Sequence, residues 1–422
     1  MQISPELGSR KMFSSISRGM FKRPTRDARH SLSKTFGEVS RPPVEITSVP
    51  RSEYVNSSLA YALDPSEHEQ KIQRSMAGRQ SGPVNDKDQS ESHGSGESVR
   101  TPHGGGRPSS GPRILSIGGG KGGIGKSFLS ANMAVSLTRQ GYRVALVDLD
   151  FGAANLHTCL GVPSPKIGLF DFVSGRIDNL EDVAVSGGVP GLILFGGGQE
   201  FWQQIRPQAA QKIRLISRLQ RLDVDYVILD LGAGTHVNTL DFFIFSHAGI
   251  VVVVPEPTSI ENAYVFLKSV LYRKLQSIVK AIHQEEVTER LLMGLGDPRF
   301  ASPPLAQLQK FASEEPEIGQ KILKLIQMTH LGVVMNQVRN NADAEVGSSI
   351  TQISQRYFGF SAEYLGAAIF DDVVWKSLRN RRPVCVDYPD SSVSQGLMSI
   401  AQSLSTRFEP VAPQGKRASG MG

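Results

Sequence analysis

Apolar positions change their pattern twice along this chain. From residue 1 to about 112 they keep no sustained period, and Ser, Gly, Pro, Arg and Glu dominate. Such a stretch buries too little apolar surface to offset chain entropy and is expected to be a disordered extension and linker. One island breaks it: Met12, Phe13, Ile16, Met20 and Phe21 recur at helical spacing among five Lys/Arg within residues 10–23. That pattern suits weak contact with an anionic membrane or a partner groove, against the plainer reading of a basic arm.

From residue 113 short apolar runs alternate with longer amphipathic ones. Strands are expected at 113–118, 143–148, 192–195, 226–231, 250–254, 331–336 and near 364–369. They read as continuous Val/Ile/Leu runs, as strands do when both faces are covered. Strand alternating with helix predicts an α/β fold, a doubly wound, mostly parallel sheet over residues 113–408. A long helix is expected from Ser259, as N-cap, to about residue 283. Residues 284–328 read as a helical insertion broken by Gly294–Pro298 and Pro303-Pro304, and 409–422 as a disordered tail.

The densest chemistry lies between the first strand and the first helix. The run Gly118-Gly119-Gly120-Lys121-Gly122-Gly123-Ile124-Gly125-Lys126-Ser127 contains G-x-x-x-x-G-K-[ST] in full. Glycines let successive backbone N–H groups turn toward phosphate oxygens, and the helix start adds its dipole. Gly120, Gly122, Gly123, Ile124 and Gly125 would cradle the phosphates of ATP. Lys126 would reach the β- and γ-phosphates, and the Ser127 hydroxyl would ligate Mg²⁺. Asp148 and Asp150 end the second strand, and Asp230 ends the run Val227-Ile228-Leu229-Asp230. Carboxylates at strand C-termini sit where open α/β sheets bind ligands. Asp230, closing a buried apolar strand, is expected on the Mg²⁺ shell, usually through water.

Together these motifs resemble the MinD/ParA family of P-loop ATPases. K-G-G-x-G-K-[ST] resembles its deviant Walker A loop, D-x-D-x-G-x-x-N its first switch, and Asp230-Leu231-Gly232-Ala233-Gly234 its second. Pro255-Glu256-Pro257-Thr258-Ser259 and Asn336-Gln337-Val338-Arg339 lean toward the FlhG/FleN-like group. The resemblance implies that Lys121 reaches a partner subunit's nucleotide in an ATP-dependent homodimer. It implies that Asp150 positions the attacking water, that Asp148 supports Mg²⁺ and that water, and that the Asn336 amide, with both donor and acceptor, binds adenine. It further implies a slow, dimer- and partner-gated ATPase setting flagellar number or placement, with a polar or flagellar protein as partner. Ile369 stands where the family usually has a proline against the base.

Composition adjusts this picture in three places. Of the net charge of +6, residues 1–40 carry eight Lys/Arg against three Asp/Glu, so the basic excess belongs to an arm. A ParA-like DNA face, with Lys268, Arg273, Lys274, Arg379, Arg381 and Arg382 as candidates, is disfavoured for that reason. The two cysteines, Cys159 and Cys385, form no CxxC, which speaks against an iron–sulfur carrier and for a reducing cytoplasm. No secretory leader pattern stands near the start, and residues 409–422 lack a basic amphipathic helix of the MinD kind. A cytoplasmic protein is expected, peripheral on the inner membrane face or at the pole. A MinD-like division-site regulator and an ATP-holding scaffold are the remaining alternatives.

Overall fold

The computed structural model describes residues 111–151, 154–197, 207–282, 291–292 and 303–408. The island at 10–23, the tail at 409–422 and the Gly294–Pro298 break lie outside them.

Among the described residues eight strands form one sheet in the order β3-β4-β2-β5-β1-β6-β7-β8. β1 (Arg113–Gly118) lies inside it, paired in parallel with β5 (Tyr226–Leu231) and β6 (Ala248–Val253). β2 (Val144–Leu149) pairs in parallel with β5 and with β4 (Leu192–Phe195). β7 (His330–Val338) and β8 (Ser361–Ile369) extend the other side in parallel. β3 (Val185–Ser186) runs antiparallel to β4 at the edge; two residues are too few to show a period, and the sequence pattern misses it. The chain winds one way from β1 to β2 and the other way through β6 to β8. The loop after β1 therefore opens at a reversal of strand order, where such sheets form a crevice.

The continuous apolar runs divide their side chains between two cores at a period of two. In β5, Val227, Leu229 and Leu231 face one core while Tyr226 and Ile228 face the other. The first core takes in α3 (Leu169–Ser174), α4 (Ala209–Leu219), α5 (Val237–Phe245), α6 (Pro257–Ile282), α7 (Pro304–Glu314), α8 (Pro316–Gln327) and α9 (Asn341–Ile353). The second takes in α1 (Lys126–Arg139), α2 (Leu156–Leu160), α11 (Val384–Asp387) and α12 (Ser392–Arg407). Between β8 and α11 lies α10 (Asp372–Arg379).

Helix α6 begins two residues before the expected cap. Pro257 opens it, its fixed φ suiting a first turn. The Ser259 hydroxyl, instead of capping, accepts the Val254 N–H at 3.1 Å and ties the helix to the end of β6. In the insertion, α7 and α8 each start on a proline, Pro304 and Pro316, as the breaker residues require.

Two of the candidate DNA-facing cations turn inward. Lys274 is buried, and Arg273 donates to Asp241 at 2.6 Å. Asp241 is buried on α5 and also pairs with Lys212 of α4, so one carboxylate joins three helices. Asp241→Ala leaves two half-covered cations without their anion and is expected to cost about 2–3 kcal/mol. Urea unfolding checks this; a loss under about 0.5 kcal/mol would show that water replaces the carboxylate.

Candidate functional site

The glycine loop owes its path to close backbone approach. A β-carbon on Gly120 would lie 2.0 Å from the Asn262 carbonyl oxygen of α6. Gly125, at φ 88, precedes α1 in the left-handed region, and a β-carbon there would meet the Asn336 amide at 2.3 Å. Gly123 is also left-handed, with open space around it. Lys126 folds back over the loop, its ammonium 3.4 Å from the Lys121 carbonyl oxygen. Burial lowers its pKa, while the Asp230 and Asp150 charges raise it. Ser127 follows on the first turn of α1.

Parallel register brings two acids side by side. Asp148 of β2 and Asp230 of β5 are register partners, both buried. Asp148 accepts the N–H groups of Asp150 at 3.2 Å and Leu156 at 3.0 Å, so it shapes the loop that carries Asp150. Asp230 accepts the Ser130 hydroxyl at 2.7 Å. Its other oxygen, Oδ2, is buried and accepts no hydrogen bond among the described residues. Burial first, then the neighbouring carboxylates, raises Asp148 to about 8. Burial likewise raises Asp230 to about 6, opposed by the Ser127 and Ser130 hydroxyls and Lys126. Asp150 is only half-buried, and its carboxylate lies against Gly232 of the loop after β5. That loop is tied to the glycine loop by Gly234 N–H to Gly119 carbonyl, 3.2 Å.

An orphaned buried carboxylate oxygen beside a helix-start serine suits a divalent cation. Among the described residues no group of three or more His, Cys, Asp or Glu could hold a metal alone. Mg²⁺ needs no such group, since it binds through one or two carboxylates, phosphate oxygens and water. Ser127 and Asp230 would hold it, with Asp148 behind them, and it would neutralise phosphate charge.

Lys126, Asp148, Asp150 and Asp230 thus share one crevice with the loop backbone. Lys121 points to a different place. Its ammonium donates to Glu256 at 2.8 Å and to Thr258 at 3.1 Å, at the turn between β6 and α6. Asn336 does something its sequence position did not announce. Its amide donates to the Ile124 carbonyl of the glycine loop at 2.8 Å and accepts the Gln337 N–H. A register irregularity between Met335 and Val338, with Gln337 at φ 58, goes with this turn of the strand. One amide N–H is then committed to the loop. Ile369, at the place of the family's proline, is half-exposed at the end of β8.

Ser130 and the Asn262 carbonyl carry no expectation from sequence, and Glu256 and Thr258 stand there only as part of the turn motif, without their bonds to Lys121. Ser130 had a signal: a small polar residue three after Ser127 meets the same strand, since i and i+3 share a helix face.

In the apo chain both acids hold protons to higher pH than in the unfolded chain, so folding takes up protons. Stability is then lost as pH rises from about 4 through 6 for Asp230 and on toward 8 for Asp148. Asp230→Asn is expected to melt above wild type at pH 8 without nucleotide, the gap closing toward pH 4. Calorimetry across that range checks it; a pH-independent gap would contradict the buried-acid account.

The family model of the CobQ/CobB/MinD/ParA nucleotide binding domain matches residues 115–384. The antiactivator FleN of Pseudomonas aeruginosa is 26% identical over 307 residues, covering 72% of this chain and 90% of that protein. The flagellum site-determining protein YlxH of Helicobacter pylori is 34% identical over 158 residues, covering 37% of this chain and 53% of that protein. The solved structure of the septum site-determining protein MinD with Mg-ADP from Pyrococcus horikoshii is 20% identical, with a TM-score of 0.49, covering 70% of this chain and 97% of that one. With the family match spanning more than half its length, this chain belongs to the CobQ/CobB/MinD/ParA nucleotide-binding family.

Proposed function

We propose that this protein is a Mg²⁺-dependent ATPase that works as a dimerising switch and regulates flagellar number or placement. The observation that carries the chemical part is the crevice itself. Lys126 bends over the loop backbone while Asp148, Asp230 and Asp150 line the strand ends below it. Phosphoryl transfer needs positioning and charge neutralisation more than covalent chemistry, and this set offers both. Backbone N–H groups and Lys126 would bind the β- and γ-phosphates. Asp150, half-exposed and beside the loop after β5, would orient the attacking water. The Gly234–Gly119 hydrogen bond would carry the change at the γ-phosphate into that loop.

The dimer reading rests on Lys121. Its side chain lies outside the crevice, held by Glu256 and Thr258. An exposed pair of this kind is worth only about 0.2–1 kcal/mol, so a second subunit's nucleotide would draw the lysine away easily. Asn336, bonded to the loop by one N–H, would read adenine with the other. The flagellar role is supported by the similarity to FleN and YlxH. No helix among the described residues is long and apolar enough to cross a membrane. Action in the cytoplasm or peripherally at a pole fits that role.

Asp150→Ala is expected to cut phosphate release by about 100-fold or more while Mg·ATP still binds and the chain accumulates as a dimer. Lys121→Ala is expected to bind nucleotide yet stay monomeric in light scattering. A dimer formed equally well by Lys121→Ala would overturn the assignment of that lysine. In cells, the labelled Asp150→Ala protein should form polar foci with altered flagellar number. Signal spread over the nucleoid or at mid-cell would replace the flagellar role with partitioning or division-site control.

A further inference from the structure

Among the described residues the most exposed large apolar side chain is Trp375, 61% exposed on α10. Leu378, three residues on and 44% exposed, shares its face. The opposite side of the helix accounts for its attachment: Val373 and Val374 pack on the second core, and Ser377 is buried with its hydroxyl donated to the Arg382 carbonyl. The helix is therefore apolar on both sides, although one side already suffices to hold it in place. Phe370, 46% exposed, stands at the entry to the helix.

Cations outnumber acids around this face, where the one carboxylate on the helix itself is exposed Asp372 in its first turn. Lys376 and Arg379 lie in its last turn, and Arg381 follows. The Arg379 guanidinium stacks over Trp375 at 4.7 Å, and Arg339 stacks over Phe370 at 4.3 Å. Among the described residues none of these four cations forms an ion pair, whereas nearby Arg382 is held by Asp387 at 2.9 Å. Of the adjacent acids, Asp371 is engaged as the helix cap, accepting the Val373 N–H at 3.0 Å. An apolar stripe flanked by free cations is complementary to an apolar stripe flanked by carboxylates. The sign of the charge argues against a second copy of the same face. It argues equally against the chain's own residues 10–23, which hold five Lys/Arg and no Asp or Glu. The aliphatic Leu378 offers nothing to a nucleic-acid base.

We propose that the outward face of α10, Trp375 and Leu378 with Lys376 and Arg379, docks an acidic amphipathic helix of a second protein. The site is close to the nucleotide machinery through backbone. Arg381, itself at φ 53, brings its carbonyl so near Gly161 that a β-carbon there would lie 2.2 Å away. Gly161 ends α2, the helix that follows the Asp150 loop, and Arg381 also lowers the pKa of His157 on α2, after burial. A partner on α10 would thus sit one contact from the segment that follows Asp150. Docking itself does not depend on the ATPase reading.

The test uses the full chain and a labelled synthetic helix of about 18 residues, Leu and Phe on one face and Glu along its flanks. A twin with Gln for Glu, anionic phosphatidylglycerol vesicles and duplex DNA complete the set. Fluorescence anisotropy is expected to show the acidic helix binding at least ~10-fold tighter than its twin. Trp375→Ala with Leu378→Ala, and separately Lys376→Glu with Arg379→Glu, should each weaken it by ~10-fold or more. Basal phosphate release should stay unchanged in both, which also reports that they fold. Equal binding of the two helices, binding insensitive to either double variant, or a response only to vesicles, DNA or a second copy of the chain would overturn the proposal.

Discussion

Two carboxylates that parallel register forces together set the terms for this molecule. Asp148 and Asp230 stand opposite each other on β2 and β5, buried at the ends of strands that are otherwise Val, Ile and Leu. Neither can ionise there without company, and burial raises both. Each neighbour supplies part of what they lack. Ser130 donates to Asp230, two backbone N–H groups donate to Asp148, and Lys126 brings positive charge from above. One oxygen of Asp230 stays unserved, which is the place a cation with its phosphates would complete.

From that pair the mobile chemistry radiates by short links. Asp148 shapes the loop bearing Asp150, the loop after β5 is bonded to Gly119, and Asn336 is bonded to Ile124. Three strands thus hold the glycine loop or its surroundings through single hydrogen bonds. Such bonds are individually worth about 0.5–1.5 kcal/mol, strong enough to shape the crevice and weak enough to exchange.

Much of this was legible in the sequence, for identifiable reasons. Continuous apolar runs marked seven of the strands, because burial on both faces leaves no polar alternation. The glycine loop was legible because Gly120 and Gly125 stand where any side chain would strike backbone or the Asn336 amide. What escaped was set by tertiary contact. β3 is two residues long, Ser259 serves the strand before it instead of the helix after it, and Lys121 rests on Glu256 more than 130 positions away. Lys274 and Arg273 look like surface cations in sequence, yet one is buried and the other serves Asp241. Asn336 is expected as a base contact from the family resemblance; its bond to the glycine loop depends on a turn of backbone that no local pattern encodes.

The most direct test of the central claim is hydrogen–deuterium exchange of the full chain with and without Mg·ATP. The account predicts slowed exchange in three segments together: residues 119–127, the Asp150–Leu156 loop and residues 231–236. Their slowing should require Mg²⁺ and weaken in Asp230→Asn. Protection confined to the glycine loop, or unchanged by Mg²⁺, would show that the paired carboxylates do not couple nucleotide to the switch loops.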